Sequence, residues 1–343
     1  MAAEDTGGKQ EGKHSQSVNK NERRLEMNSI RNGKTKMWKV LAAEVVILGA
    51  GWMAMGCKST PKPEVSAPAV QSEFASPADA AQALVAAARA GDEAGLARIL
   101  GKGSQEYLTS GDSAVDKKAN ADFAAKYDKM NRWVDMTDGT KVLYVGADNF
   151  AFPIPLAKDA AGKWQFDTKA GALEVKARDI GRNEMLAMDA VSSVANAQEL
   201  YYKMHGKEYA QRVISGEGKQ DGLYWPVPAG SESSPLGHLS KFPKTSIAAV
   251  GDEPPVVDGY TLRILTAQGD EAKGGAKSYV VNGKMTGGFA VLATPVKYDE
   301  TGVMTFVLSR DGVLYEQDFG PKTVEIAKSI KDYNPTEGWM PVE

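Results

Sequence analysis

Between about Arg178 and Tyr209, apolar residues recur at spacings of three and four, and the pattern predicts one long helix. Ile180, Ala187, Val191, Val194, Ala195 and Tyr202 share a flank, and Leu186, Ala190, Ala197, Leu200 and Tyr201 widen it. Asp189, Ser192, Asn196 and Lys203 lie opposite, toward water. Glu184, Gln198 and His205 fall inside the apolar flank. A polar group placed there must find a partner within the fold. Glu184 and Gln198 are therefore expected to be structural hydrogen-bonding residues near the helix–loop junction, Glu184 accepting from loop backbone. Arg182 and Asn183 are expected to pin the helix start.

The pattern on either side of this helix predicts two different regions. Ser76-Pro77-Ala78-Asp79 reads as a helix beginning, serine at the N-cap and proline at the first helical position. That helix stops at Gly91, and Asp92 caps a second one ending near Leu100. Phe123, Tyr127 and Met130 suggest a third short helix, followed by strands at Lys141–Val145, Ala151–Pro155 and Gly162–Asp167, where Trp164 and Phe166 alternate around Gln165. After the long helix, 215–257 reads as a long ordered loop with aromatics to bury. Strands are then predicted at Tyr260–Ala267, Lys277–Val281, Phe289–Ala293, Met304–Leu308 and Val313–Gln317, with Asn282-Gly283 and Asp311-Gly312 as type I′ hairpin turns. Pro321 opens a final helix, Lys322 to Ile330. The expected fold class is α+β: a small helix-then-strand domain over 74–176, then over 177–343 a long helix packed on an antiparallel β-meander with a C-terminal helix.

The first 56 residues change the picture. Val40 to Ala54 is an apolar run preceded by Arg31, Lys34, Lys36 and Lys39 and followed by Met55-Gly56-Cys57, the layout of an export signal. It is short for a permanent transmembrane helix. Cys57 is the only cysteine of the 343 residues, so no intramolecular disulfide can form. Ala54-Met55-Gly56-Cys57 resembles the bacterial lipobox, although alanine stands where leucine is usual. The resemblance implies a lipidated Cys57 as first mature residue, a bacterial envelope location and membrane lipid as a partner, with several acyl chains giving stable attachment. Lys58 after the cysteine fits sorting to the outer membrane, facing the periplasm. Residues 1–56 are then leader and signal peptide, and 57–73, with prolines at 61, 63 and 68, a tether. Removing the leader takes the formal net charge from −3 to −6, with 32 basic and 38 acidic groups. No basic block remains, so nucleic acid is a poor partner.

Several blocks resemble the DUF2950 family of bacterial exported proteins: Gly181-Arg182-Asn183-Glu184, Ala197-Gln198-x-x-Tyr201, Gly274-Gly275-x-x-x-Tyr279-x-x-Asn282-Gly283-x-Met285-x-x-Gly288-Phe289, Gly302-x-Met304-Thr305-Phe306 and Tyr315-x-x-Asp318-x-Gly320. The resemblance covers roughly Phe74 to Glu337 and implies an envelope protein of uncharacterised function. The second half is also similar to type IV pilin and pseudopilin globular domains, without a prepilin cleavage motif. The first half weakly resembles the SnoaL/NTF2-like cone.

Little in the chain points to catalysis. HExxH, CxxC and a P-loop are missing, and beyond the leader only His205 and His238 could begin a metal set, which needs three or four ligands. Gly283-Lys284 fits a hairpin better than a phosphate loop. Ser231, Ser233 and Ser234 near His238 lack a nucleophile elbow, and a Glu184–Asp318 carboxylate pair is the weaker alternative to a structural Glu184. No cofactor, metal or catalytic residue is expected. The reading is a non-catalytic envelope lipoprotein with a structural or binding role and an envelope protein partner. The alternative is a small-ligand binder or hydrolase, its pocket between the long helix and the Trp225/His238 loop lined by Tyr201, His205, Tyr224, Trp225 and His238.

Overall fold

A computed structural model describes residues 70–228, 233–237 and 253–342. The signal segment, Cys57, most of the tether and His238 lie outside the described residues. The chain divides into two compact units after Val175.

In the first unit, α1 (Pro77–Ala90) begins where Ser76 Oγ accepts the Asp79 N–H at 3.2 Å. α2 (Glu93–Leu100) begins where Asp92 accepts the Gly95 N–H at 2.8 Å. α3 (Gln105–Leu108) is a single turn, and α4 (Ser113–Lys129) follows. The short helix expected around Phe123 is thus a 17-residue helix. Asp112 caps it through the Ala114 and Val115 N–H groups, and of its side chains just Phe123 and Ala124 are buried, so its first half carries almost no hydrophobic pattern. The strands β1 (Asn131–Asp135), β2 (Lys141–Val145), β3 (Phe150–Ala151), β4 (Leu156–Lys158) and β5 (Trp164–Phe166) form an antiparallel sheet in the order β1-β2-β4-β5, with β3 also on β2. β1 escapes sequence reading because it is half exposed without alternation. The strand expected over Ala151–Pro155 is broken into β3 and β4. Pro153 and Pro155 cannot donate to a ladder, and the Phe152 N–H makes the last bond, 2.7 Å to Leu143 O. Phe123, Phe152 and Phe166 meet ring to ring at 5.4 and 6.0 Å inside this unit's core.

The long helix, α5, spans Thr168–Met204 and is 37 residues long. Its start lies ten residues before the Arg178 expected from periodicity. Asp167 Oδ1 caps the Ala170 N–H at 2.9 Å, and Gly171, a helix-weakening residue, is there for space: a Cβ would stand 2.7 Å from Ile154 Cγ1. Arg182 and Asn183 therefore sit in mid-helix and do not pin its beginning.

In the second unit β6 (Val256–Val257), β7 (Tyr260–Leu265), β12 (Ala290–Pro295), β13 (Thr305–Ser309), β14 (Leu314–Gln317) and β15 (Met340–Pro341) form an antiparallel sheet in the order β15-β14-β13-β12-β7-β6. Between β7 and β12 the chain makes an excursion carrying β8 (Ala267–Gln268), β9 (Lys277–Ser278), β10 (Val280–Val281) and β11 (Lys284–Met285). Asn282 and Gly283 both have positive φ, 51° and 79°, as a type I′ turn requires. At the second expected turn only Gly312 is left-handed, φ 84°. Its N–H closes a turn onto Ser309 O at 3.0 Å, so that connection is longer than the two-residue turn expected. The core joins Ala187, Val191, Val194 and Ala197 of α5 to Leu262, Val291 and Phe306 of the sheet. Arg263, pointing to the other face, donates to Ala327 O and Ile330 O at 2.6 and 2.8 Å and so ties down the end of α6 (Thr323–Ser329).

Gly302 shows how tightly this unit is closed. A Cβ there would stand 1.9 Å from Tyr260 Oη, which donates to Met304 O at 2.9 Å. Gly302→Ala is expected to lower stability by about 1–3 kcal/mol, read from denaturant midpoints.

Candidate functional site

The strongest irregularity of the sequence, polar residues on the apolar flank of α5, is resolved by backbone. Gln198 is wholly buried. Its Nε2 donates to Ala210 O at 2.7 Å and its Oε1 accepts the Ala210 N–H at 2.9 Å, so one amide replaces a strand neighbour for the chain returning after the helix. Glu184 is 4% exposed. Its Oε1 accepts the Val303 and Met304 N–H groups at 2.9 and 3.0 Å, and neighbouring Asn183 donates to Thr301 O at 3.0 Å. The helix thereby grips the β12–β13 connection. Arg182 faces water and pairs with Asp179 at 2.7 Å.

Burial pushes the Glu184 carboxyl above the ordinary glutamate range. The two N–H donors oppose that shift, while the charges of Glu316 and Asp318 add to it. Asp318, the other half of the conceivable carboxylate pair, accepts the Gly320 N–H at 2.7 Å. Burial, with Glu184 and Glu316 nearby, likewise raises Tyr260. Glu184, Asp318 and Tyr260 each bond main chain.

The aromatic residues of the expected pocket fill space against one another. Tyr201 and His205 stack at 4.0 Å with an interplanar angle of 10°, and Trp225 meets His205 edge-on at 6.2 Å. Tyr201 Oη donates to Gln220 O at 3.1 Å. Tyr224 serves through its backbone, bonded to Val213 and Ser215 at 2.9 Å each. His238, the fifth lining candidate, lies outside the described residues. Two clefts do occur. One of about 300 Å³ in the first unit is lined by Lys158, Gln165 and Lys169 among others, and one of about 180 Å³ in the second by Arg212, Pro255 and Ile264 among others. None of Tyr201, His205, Tyr224 and Trp225 lines either cleft. Among the described residues no group of three or more His, Cys, Asp or Glu is placed to hold a metal ion, and no helix is long and apolar enough to cross a membrane.

A buried pair that sequence reading missed sits in the excursion. Tyr279 Oη donates to Gln268 Oε1 at 3.0 Å, and Gln268 Nε2 donates to Lys273 O and Gly275 O at 3.0 and 2.8 Å. Tyr279 O in turn accepts the Thr286 and Gly287 N–H groups at 3.0 and 2.9 Å. The available signal was Tyr279 itself, midway between Gly275 and Asn282-Gly283.

These geometries place at least one residue of each sequence block, and the family model for DUF2950, a protein of unknown function, matches residues 71–342. The chain belongs to the DUF2950 family. No curated protein and no solved structure matches this DUF2950 chain. The likenesses to pilins and to the cone fold find no support there.

Gln198→Ala is expected to leave both Ala210 groups without their partner and to cost about 2–4 kcal/mol in denaturant unfolding. Glu184 gives a pH test. Because its folded pKa is raised, the stability it contributes is fully present below the unfolded glutamate value of 4.5 and is lost as pH rises through the folded value. Glu184→Gln keeps an acceptor oxygen and removes the titration. Its melting temperature relative to the parent is expected to climb over that rise in pH, then level off.

Proposed function

We propose that this DUF2950 protein is a lipid-anchored protein of the bacterial cell envelope with a structural or binding role, not a catalytic one. The observation that carries the non-catalytic part is the use of its buried polar and tyrosine side chains. Glu184, Gln198, Tyr260 and Tyr279 each bond a distant main-chain segment or the residue that holds one. Side chains occupied in this way are not poised for a substrate. The packing of Tyr201 on His205 and of Trp225 edge-on to His205 weighs against the alternative pocket in the same manner.

The anchored part rests on the leader: a basic flank, the Val40–Ala54 run and Cys57 at its foot. With acyl chains on Cys57 and Lys58 following, the proposed location is the outer membrane, the folded part facing the periplasm on the tether, where an envelope protein is its partner. Mass spectrometry of the exported protein is expected to find an acylated Cys57 as first residue, and Cys57→Ser to shift the protein from membrane to soluble fraction. An unchanged partition would overturn the anchor. A small molecule co-purifying in stoichiometric amount, with no cross-linked protein partner, would overturn the binding role as stated.

A further inference from the structure

Strand β1 stands at one end of the first unit's sheet, and among the described residues only β2 pairs with it. The Met136 N–H donates to Thr140 O and the Gly146 N–H to Met130 O, each at 2.9 Å, so by alternation the backbone groups of residues 130, 132, 134 and 136 face β2. Those of Asn131, Trp133 and Asp135 face away, and among the described residues no backbone group bonds them. The edge is in water: Asn131, Arg132 and Asp135 are exposed, and the methionines at its two ends, Met130 and Met136, are 38% and 42% exposed. The features that commonly guard an edge strand are missing from it. β1 holds no proline and keeps register with β2 over all 5 of its residues without a bulge. Its charged side chains are engaged on its own sheet: Arg132 donates to Asn149 Oδ1 at 2.8 Å and lies 4.8 Å over the Tyr144 ring, and Asp135 pairs with Lys141.

The edge is also complementary to itself. Met130-Asn131-Arg132-Trp133-Val134-Asp135-Met136 reads nearly the same from either end about Trp133. We propose that two copies of this protein pair antiparallel through β1, with a two-fold axis at Trp133, so that their first-unit sheets become one. In that register Asn131 stands opposite the other copy's Asp135, Arg132 opposite Val134 and Met130 opposite Met136, and no two like charges face each other. The outward N–H and C=O groups of Asn131, Trp133 and Asp135 then fall in hydrogen-bonded pairs. Trp133, half-buried against the first unit's core, meets its counterpart as a cross-strand aromatic pair. The occupant is assigned to a second copy because the one register that satisfies all three outward residues is also the one that matches the side chains. A single strand pair is a smaller interface than a permanent dimer has, so the association is weak and depends on concentration. The inference goes beyond the envelope role proposed above and does not depend on the anchor: its residues all belong to the first unit, and it survives a negative result with Cys57→Ser.

The test uses the full chain carrying Cys57→Ser, which leaves no native thiol. Sedimentation is expected to show a monomer–dimer equilibrium. Asn131→Lys, which places a cation opposite the other copy's Asp135, is expected to tighten the dimer about fivefold, and Asn131→Asp to loosen it by a similar factor, with the melting temperature of the monomer unchanged. Arg132→Cys and Val134→Cys copies, mixed and oxidised, are expected to form a disulfide dimer containing one of each. Either variant alone is expected to cross-link poorly, because its two cysteines stand on the diagonal, about 7–8 Å apart. Equal cross-linking of the single variants and the mixture would overturn the register, and with it the proposal. A chain that stays monomeric at millimolar concentration would overturn it as well. Protection of the Asn131, Trp133 and Asp135 amides from exchange in that monomer would assign the edge to a segment of the same chain instead.

Discussion

The second unit depends on two buried polar side chains carried on one flank of one helix. Glu184 and Gln198 are 14 residues apart, which sets them about 21 Å apart along α5 and nearly on the same face. One holds the β12–β13 connection and the other holds the chain at Ala210. An apolar side chain at either position would bury as much surface, but it would leave main-chain N–H groups unpaired inside the core, a cost comparable to the loss of a hydrogen bond for each. Directional bonds also specify position in a way that apolar contact does not, so they set how far along the helix each segment docks.

The same device recurs through the unit. Tyr260 reaches past Gly302 to the Met304 carbonyl, Gln268 and Tyr279 organise the excursion between β7 and β12, and Arg263 closes the end of α6. Tyr260, Gln268 and Arg263 are long side chains on strands that bond backbone outside those strands, and Tyr279 holds Gln268 in place. These described connections are thereby held by the elements they cover, and at Gly302 close approach dictates the glycine. Glu184, Gln198, Tyr260 and Tyr279 accordingly face inward.

Much of this architecture was legible in the chain. Capping at Ser76 and Asp92, the apolar stripe from Ile180 to Tyr201, the alternation at Trp164–Phe166 and the Asn282-Gly283 turn are local signals, and local signals act through hydrogen bonds and periodicities that span a few residues. The readings that failed were those in which local and tertiary preferences conflict. α4 is polar along most of its length, and Gly171 opens α5 where propensity argues for a break, because Ile154 occupies the space that a side chain would take.

The sequence by itself determined the α+β class, the family and the presence of two polar residues on an apolar helix face that had to be satisfied somewhere, because composition, periodicity and motif are properties of neighbours along the chain. It could not say with which backbone groups Glu184 and Gln198 pair. Those partners lie 119 and 12 residues away, and only the docking of the helix on the sheet brings them within 3 Å. The packed rings of Tyr201, His205 and Trp225 were decided in the same way: aromatic residues near one another in sequence can line a cavity or fill it, and the packing of the 215–228 segment against α5 filled it.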